Sequence, residues 1–304
     1  MKKKVLLTGG SGLLATNWFF SIKNEFEVVL GLHERNILIP GCQVLPVNME
    51  SSDEFSKFLG SIKPDFVIHC AGLANVEVCE ANPSVAYHVN VTIAENVAKA
   101  CKKNSVQLAY ICTDHIFSGN KPLVTENEPV SPVNEYGRTK QLGELAVLNV
   151  SGDFLSIRTN FYGWGPTYRR SFSDMIIDKV SKGEPVTLFE DFYYTPIIVE
   201  ELAQTVMDLL EDKASGIFNV VGNERISKLE FGKRLIKRFN LDGSLIKASR
   251  FSERKDLVKR PHDLSLSNQK VAKLLNKKIG DINAGIERLY RQNETGFANI
   301  IKIM

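Results

Sequence analysis

The sequence predicts an α/β fold: a doubly wound parallel sheet followed by a smaller, less regular lobe. Three observations predict it. Short runs that are apolar at every position alternate with longer helical patterns through the first half of the chain, as strands covered on both faces by crossover helices do. A glycine-rich turn, TGGSGLLA, follows the first run and opens the first helical pattern. After about residue 160 the alternation weakens into aromatic and glycine-rich segments.

The strand candidates are KVLLT (4–8), EVVL (27–30), QVLPV (43–47), DFVIHC (65–70), VQLAYICT (106–113) and FLSIRT (154–159). Each is a short run of the β-branched and aliphatic residues that suit a sheet interior. Between them, apolar residues at helical spacing predict helices over about 12–24, 51–61, 83–103 and 134–150. Ser52 ahead of Phe55 and Phe58, and Pro83 ahead of a periodic run, mark two of the starts. Beyond 160, helices are expected near 171–182, 227–240 and 267–276, with a strand at GIFNVV. This divides the chain into a Rossmann domain over 1–160 and a substrate-binding lobe over 161–304. Elements around 190–225 are expected to return to the first domain. The lobe would sit over the carboxyl edge of the sheet, where ligands of such folds bind.

In LLTGGSGLLA, Gly9 suits a tight turn, Gly12 permits close approach of a pyrophosphate, and Ala15 keeps helix and strand together. The amides around Leu13 and Leu14 would then face phosphate oxygens at a helix N-terminus. The second strand ends VVLGLHERN, with Gly31 where an NAD-selecting acid would stand and His33 and Arg35 following. That favours NADPH; Glu34, about twenty residues past the glycines, keeps NADH as the alternative.

NEYGRTKQLGE, residues 134–144, places Tyr136 and Lys140 one above the other on a helix. A phenol titrates near pH ~10 and is a sluggish proton donor at neutrality; a neighbouring ammonium would bring it towards the working range. On this reading Tyr136 exchanges a proton with a substrate oxygen and Lys140 tunes it.

At YICTDHIFSG the chain resembles the extended short-chain dehydrogenase/reductase family, and within it the dTDP-4-dehydrorhamnose reductases. TGGSGLLA, PDFVIHCAGLANVEVCE, VNVTIAENVAKAC, PVNEYGRTKQLGE, RTNFYGWG and RPHDLSLS carry the same resemblance in family order. It implies Thr113, Tyr136 and Lys140 as the catalytic set, with the Thr113 hydroxyl on the reacting carbonyl. It implies Asn48, Met49, Cys70, Ala71, Gly72 and Asn90 as cofactor-pocket positions, and Arg260 as a substrate-side arginine. The loop NFYGWGPTYRR adds Asn160, Phe161 and Trp164 as substrate candidates, Tyr162 and Tyr168 as further aromatics, and Arg169 and Arg170 as diphosphate candidates. His115 stands where relatives carry tyrosine, and where nucleotide-sugar dehydratases carry a glutamate, which favours simple reduction. Asn17 replaces a glutamate that some relatives link to magnesium, and the scattered histidines show no ligand spacing, so no metal is expected.

The activity implied is NADPH-dependent reduction of a nucleoside-diphosphate 4-keto-6-deoxy sugar to a glycan precursor. Two alternatives stay open: a nucleotide-sugar epimerase, and a non-catalytic regulatory module like the β-subunit of methionine adenosyltransferase. A formal charge of +3 from 38 basic and 35 acidic residues, with only short basic runs, argues against nucleic acid. The apolar stretch near the start is too short for a signal peptide or membrane span. Five cysteines without C-x-x-C spacing suit a reducing cytoplasm. The assembly is left open, with a homodimer as one candidate.

Overall fold

A computed structural model of the protein describes residues 2–254 and 256–304. Seven strands form one parallel sheet: β1 (Lys4–Thr8), β2 (Glu27–Leu32), β3 (Gln43–Pro46), β4 (Phe66–His69), β5 (Gln107–Thr113), β6 (Leu155–Thr159) and a last strand, Gly216–Asn219. Their order is Gly216–Asn219, β6, β5, β4, β1, β2, β3, so the winding reverses between β1 and β4. Thr8 lies opposite both Gly31 and His69, and Thr113 opposite Thr159. This register lines up the carboxyl ends as one edge. The fold is the predicted doubly wound α/β class.

Period-2 alternation sends the side chains of β1 to two separate cores. Val5 and Leu7 pack with Trp18, Leu202 and Val206 under α1 (Leu13–Ile22) and the helix Val199–Glu211. Leu6 packs with Phe55, Val97 and Val147 under α2 (Ser52–Ile62), α5 (Ile93–Lys103) and α6 (Glu135–Val150). Between α2 and α5 lie two short helices, α3 (Val76–Ala81) and α4 (Pro83–Tyr87). A third core holds Trp164, Tyr194, Phe231 and Leu289. It belongs to the later segments, where Val186–Phe189 pairs in parallel with Ile246–Ser249.

The single helix expected over 83–103 is interrupted: a π turn, His88–Thr92, separates α4 from α5. Apolar spacing survives one extra residue in a turn, so the pattern does not reveal it. Helices at Val76–Ala81, Ile282–Glu294 and Phe297–Lys302 were not expected from the sequence.

α6 starts where Asn134 accepts a hydrogen bond from the Gly137 amide at 2.9 Å, the side chain replacing a missing helical partner. The helix lies against the sheet at two glycines. A Cβ on Gly137 would collide with the His115 carbonyl oxygen, and one on Gly143 with the Asn90 carbonyl oxygen and the Tyr110 hydroxyl. Among the described residues, no helix is long and apolar enough to cross a membrane.

Candidate active site

The glycine loop, the β4 end, the β5 end and α6 meet at the carboxyl edge of β1, β4 and β5. Gly9 has φ of +66°, and a Cβ there would lie 2.9 Å from the Ala71 backbone, so only glycine fits without strain. The Gly10 amide donates to the Gly31 carbonyl at 2.9 Å and the Gly12 amide to the Gly9 carbonyl at 2.8 Å. Gly12 is the N-cap of α1 and brings no side chain to the helix end. The first amides of α1 are thus a cradle suited to phosphate oxygens, by hydrogen bonding and by the helix dipole. Leu13 and Leu14 are themselves buried, leaving only their backbone for that role.

Asn90 sits in the π turn, and its amide is fully used. It accepts from the Leu73 amide at 2.8 Å and donates to the Leu73 carbonyl at 3.0 Å and to the Thr139 hydroxyl at 3.0 Å. It pins the segment from Cys70 to Leu73 against α6. Ala71 also donates to Thr8 Oγ1, at 3.4 Å, and a Cβ on Gly72 would approach both Asn90 and the Lys140 ammonium. These predicted cofactor positions therefore converge around Lys140.

Others are spread wider. Met49 has its side chain in the core with Phe55 and Leu59, while Asn48 bonds the Glu50 amide and Glu54 on the surface. His33 is exposed, and the Arg35 guanidinium lies 3.9 Å from the centre of the Tyr168 ring. The Tyr168 hydroxyl in turn donates to the Ser11 carbonyl at 2.8 Å, tying the later loop to the glycine turn.

Tyr136 and Lys140 share a face of α6, and the Lys140 ammonium is bonded elsewhere. The Lys140 ammonium donates to the Ile111 carbonyl, 2.7 Å away, and lies over the Tyr110 ring at 4.1 Å. Burial lowers its pKa to about 8. The Tyr136 phenol is pushed above its ordinary value, chiefly by burial and then by the charge of Asp114, with the Thr113 hydroxyl working the other way. Helical spacing sets where two Cα atoms stand; it does not set where a four-carbon stem ends.

At the β5 end, Thr113 donates to Asp114 Oδ1 at 3.1 Å and accepts from the His115 amide at 3.3 Å. Asn160 donates to Asp114 Oδ2 at 2.6 Å. Asp114 is 1% exposed, and burial raises its pKa to about 6 against the help of both donors and of Lys228. His115 meets the Tyr136 ring edge-on at 5.3 Å, and burial lowers it to about 3, so it is neutral at physiological pH.

The Asp114 carboxyl carries a stability prediction. Its folded pKa of about 6 exceeds the ordinary carboxyl value of 3.8. Its contribution to stability is therefore full below about pH 4 and lost as pH rises through 6. A shift near two units corresponds to about 3 kcal/mol. Relative to wild type, Asp114→Asn should gain up to ~3 kcal/mol in unfolding free energy between pH 4 and pH 7. Urea titrations of both proteins at the two pH values check this; a difference independent of pH would refute it.

One substrate candidate is corrected, and Phe161 is half-buried. Trp164 is fully buried in the third core, with its indole N–H donating to the Leu289 carbonyl at 3.2 Å. Phe161 packs against the first core, and its segment pairs with Ile197–Ile198. Tyr162 is likewise core, against Phe231. Arg170 pairs with Asp178 at 2.6 Å, and Arg169 is exposed. Asn17 joins α1 to the Trp164 carbonyl at 2.7 Å. Arg260 pairs with Glu77 while its buried Nε has no partner, and it borders a cavity of about 410 Å³ with Arg254, Lys259 and His262. The sequence reading missed Lys228, which faces Asp114 from the lobe; a cation in the first turn of a helix was the available signal, since it opposes the helix dipole.

Comparison with known proteins follows the same lines. The RmlD substrate binding domain model matches residues 2–294. A probable low-salt glycan biosynthesis reductase of Haloferax volcanii is 30% identical over 247 residues, 80% of this chain and 82% of that protein. The rat methionine adenosyltransferase 2 subunit beta is 29% identical over 257 residues, 80% and 74% respectively. The crystal structure of a hypothetical dTDP-4-dehydrorhamnose reductase from Sulfolobus tokodaii superimposes with a TM-score of 0.81 at 28% identity, covering 94% of this chain and 99% of that one.

Proposed function

Because the chain belongs to the RmlD substrate binding domain family, within the extended short-chain dehydrogenases/reductases, we propose that it is a sugar-nucleotide oxidoreductase. We infer that it uses NADPH to reduce a nucleoside-diphosphate 4-keto-6-deoxy sugar. The observation that carries this reading is the convergence of Thr113, Tyr136 and Lys140 beside a glycine cradle at the switch point of the sheet. The likeness to a probable glycan biosynthesis reductase supports the same class.

The cradle fits a dinucleotide: the N-cap is a glycine without a side chain, and Gly9 leaves room at the Ala71 backbone. Gly9, Gly12 and the α1 amides would hold the pyrophosphate, and Lys140 with the Cys70–Gly72 segment the nicotinamide end. A bound nicotinamide supplies the hydride. Tyr136 then serves as the proton donor. Its raised pKa keeps it neutral and protonated at working pH, and an oxygen that has lost carbonyl character is a far stronger base than a phenolate. Thr113 accepts from the His115 amide and gives its own hydrogen to Asp114. Rotation of that hydroxyl towards substrate would turn it into a second donor for the same oxygen, and Asp114 holds it close by. All five cysteines are free, which suits a reaction in the cytoplasm.

The test is oxidation of NADPH and of NADH by the full chain against a panel of nucleotide 4-keto sugars. Turnover with NADPH at least ~10-fold faster than with NADH is expected for one of them. No turnover with any would overturn the reading. The likeness to the methionine adenosyltransferase subunit favours a second reading, a regulatory module. Capture of an adenosyltransferase by a chain inert towards every keto sugar would select it.

A further inference from the structure

The helix Lys228–Arg238 begins on a cation, although its N-terminal end repels positive charge. Ser227 caps it in the ordinary way, accepting from the Glu230 amide at 3.1 Å, so the lysine is not needed for the cap. The Lys228 ammonium lies 3.5 Å from the centre of the Tyr194 ring, 4.3 Å from that of Phe172 and 5.8 Å from that of Phe192. Ring faces attract an ammonium but leave its three protons without acceptors. Among the described residues it makes no hydrogen bond and no ion pair within 4 Å.

Around it are other unpartnered polar atoms. The Tyr194 hydroxyl, in a residue 2% exposed, the Arg260 Nε and the His115 Nδ1 are all buried without a hydrogen-bond partner. Each costs free energy in that state, about 1–3 kcal/mol for a neutral group and more for a charged one. Arg260 and Lys228 repel one another, and the negative charge in reach of Lys228 is Asp114, which Thr113 and Asn160 already satisfy. Lys228 is half-buried, and desolvation, with the Arg260 charge adding to it, lowers its pKa to about 7 against the pull of Asp114. An ammonium and a hydroxyl without protein acceptors, next to a guanidinium whose Nε is unpaired although Glu77 holds its other end, describe a site for an anion with several oxygens.

We propose that Lys228, braced by Phe172, Phe192 and Tyr194, binds the diphosphate of the substrate and so selects nucleotide-linked sugars over free ones. This rests on the nucleotide-sugar reading above and adds to it a residue which that reading did not use. The ring cage holds the ammonium in place, so that little side-chain freedom remains to be lost when the anion arrives.

Calorimetric titration of the full chain with dTDP, UDP and GDP, with the matching nucleosides and with pyrophosphate, tests the proposal. Lys228→Met keeps an unbranched apolar stem among the rings, and Lys228→Arg keeps the charge. Lys228→Met should weaken the tightest nucleoside diphosphate by about 30-fold and raise the KM of the keto sugar similarly, with kcat within about 3-fold. Nucleoside binding should not change, and Lys228→Arg should recover most of the loss. Unchanged diphosphate affinity in Lys228→Met, or an equal loss for nucleoside and diphosphate, overturns the assignment while leaving the reductase reading intact if wild type still turns over a keto sugar. A wild-type chain that binds no nucleoside diphosphate and reduces no keto sugar overturns both.

Discussion

Tyr136→Phe is expected to lower the turnover of carbonyl reduction by at least ~100-fold, while the protein folds as before and KM moves by no more than about 2-fold. The substitution removes one hydroxyl and keeps the ring, whose edge contact with His115 at 5.3 Å survives. The two titratable groups at the β5 end offer no replacement proton at neutral pH, and the Lys140 ammonium is held by the Ile111 carbonyl. His115 is deprotonated, with a pKa near 3, and Asp114, near 6, is mostly ionised at pH 7. The rate lost is that of general acid assistance, so it should appear in kcat. Steady-state kinetics on the best keto sugar measures it. A rate within ~3-fold of wild type would take Tyr136 out of the chemistry.

Glu144→Ala is expected to destabilise the chain by about 3–5 kcal/mol, the cost typical of stranding one member of a buried ion pair. The Glu144 carboxylate accepts from Ser156 at 2.7 Å and from Arg158 Nε and Nη2 at 3.0 and 2.6 Å. The Glu144 and Arg158 side chains are 3% and 4% exposed. Removing the acid leaves a guanidinium that cannot shed its proton in a dry site between α6 and β6. The double variant Glu144→Met with Arg158→Met should be less damaged than Arg158→Met alone, because neither charge is then left unpaired. Denaturant unfolding of these variants and of Glu144→Met decides it; losses of Glu144→Met and Arg158→Met that add up to that of the double variant would show that the pair is not a coupled unit.

The parallel strands were legible because a strand covered on both faces must be apolar at every position, and Val5–Leu6–Leu7 and Val67–Ile68 satisfy that in sequence. The glycine turn was legible for a related reason: positive φ and contact with a neighbouring backbone leave few residue choices. Side-chain destinations were not. Trp164 sits in a loop whose composition reads the same whether an indole stacks on a ligand or fills a core. Helical spacing put Lys140 on the face of Tyr136 but did not reveal its bond to the Ile111 carbonyl. The strand pair joining Val186–Phe189 to Ile246–Ser249 bridges segments roughly sixty residues apart, a pairing that local periodicity does not encode. Lys228 carries its meaning only once Tyr194, Phe172 and Asp114 are brought to it from distant stretches.

The two glycines of α6 give Tyr136 its footing. Where most helices rest on a cushion of side chains that mutation can thicken or thin, this one touches the carbonyls of His115 and Asn90 directly. The height of Tyr136 above the sheet is thereby a property of main chain against main chain, insulated from repacking elsewhere in the core. On the proposed reading, sequence drift in the later segments could change the substrate without shifting that hydroxyl.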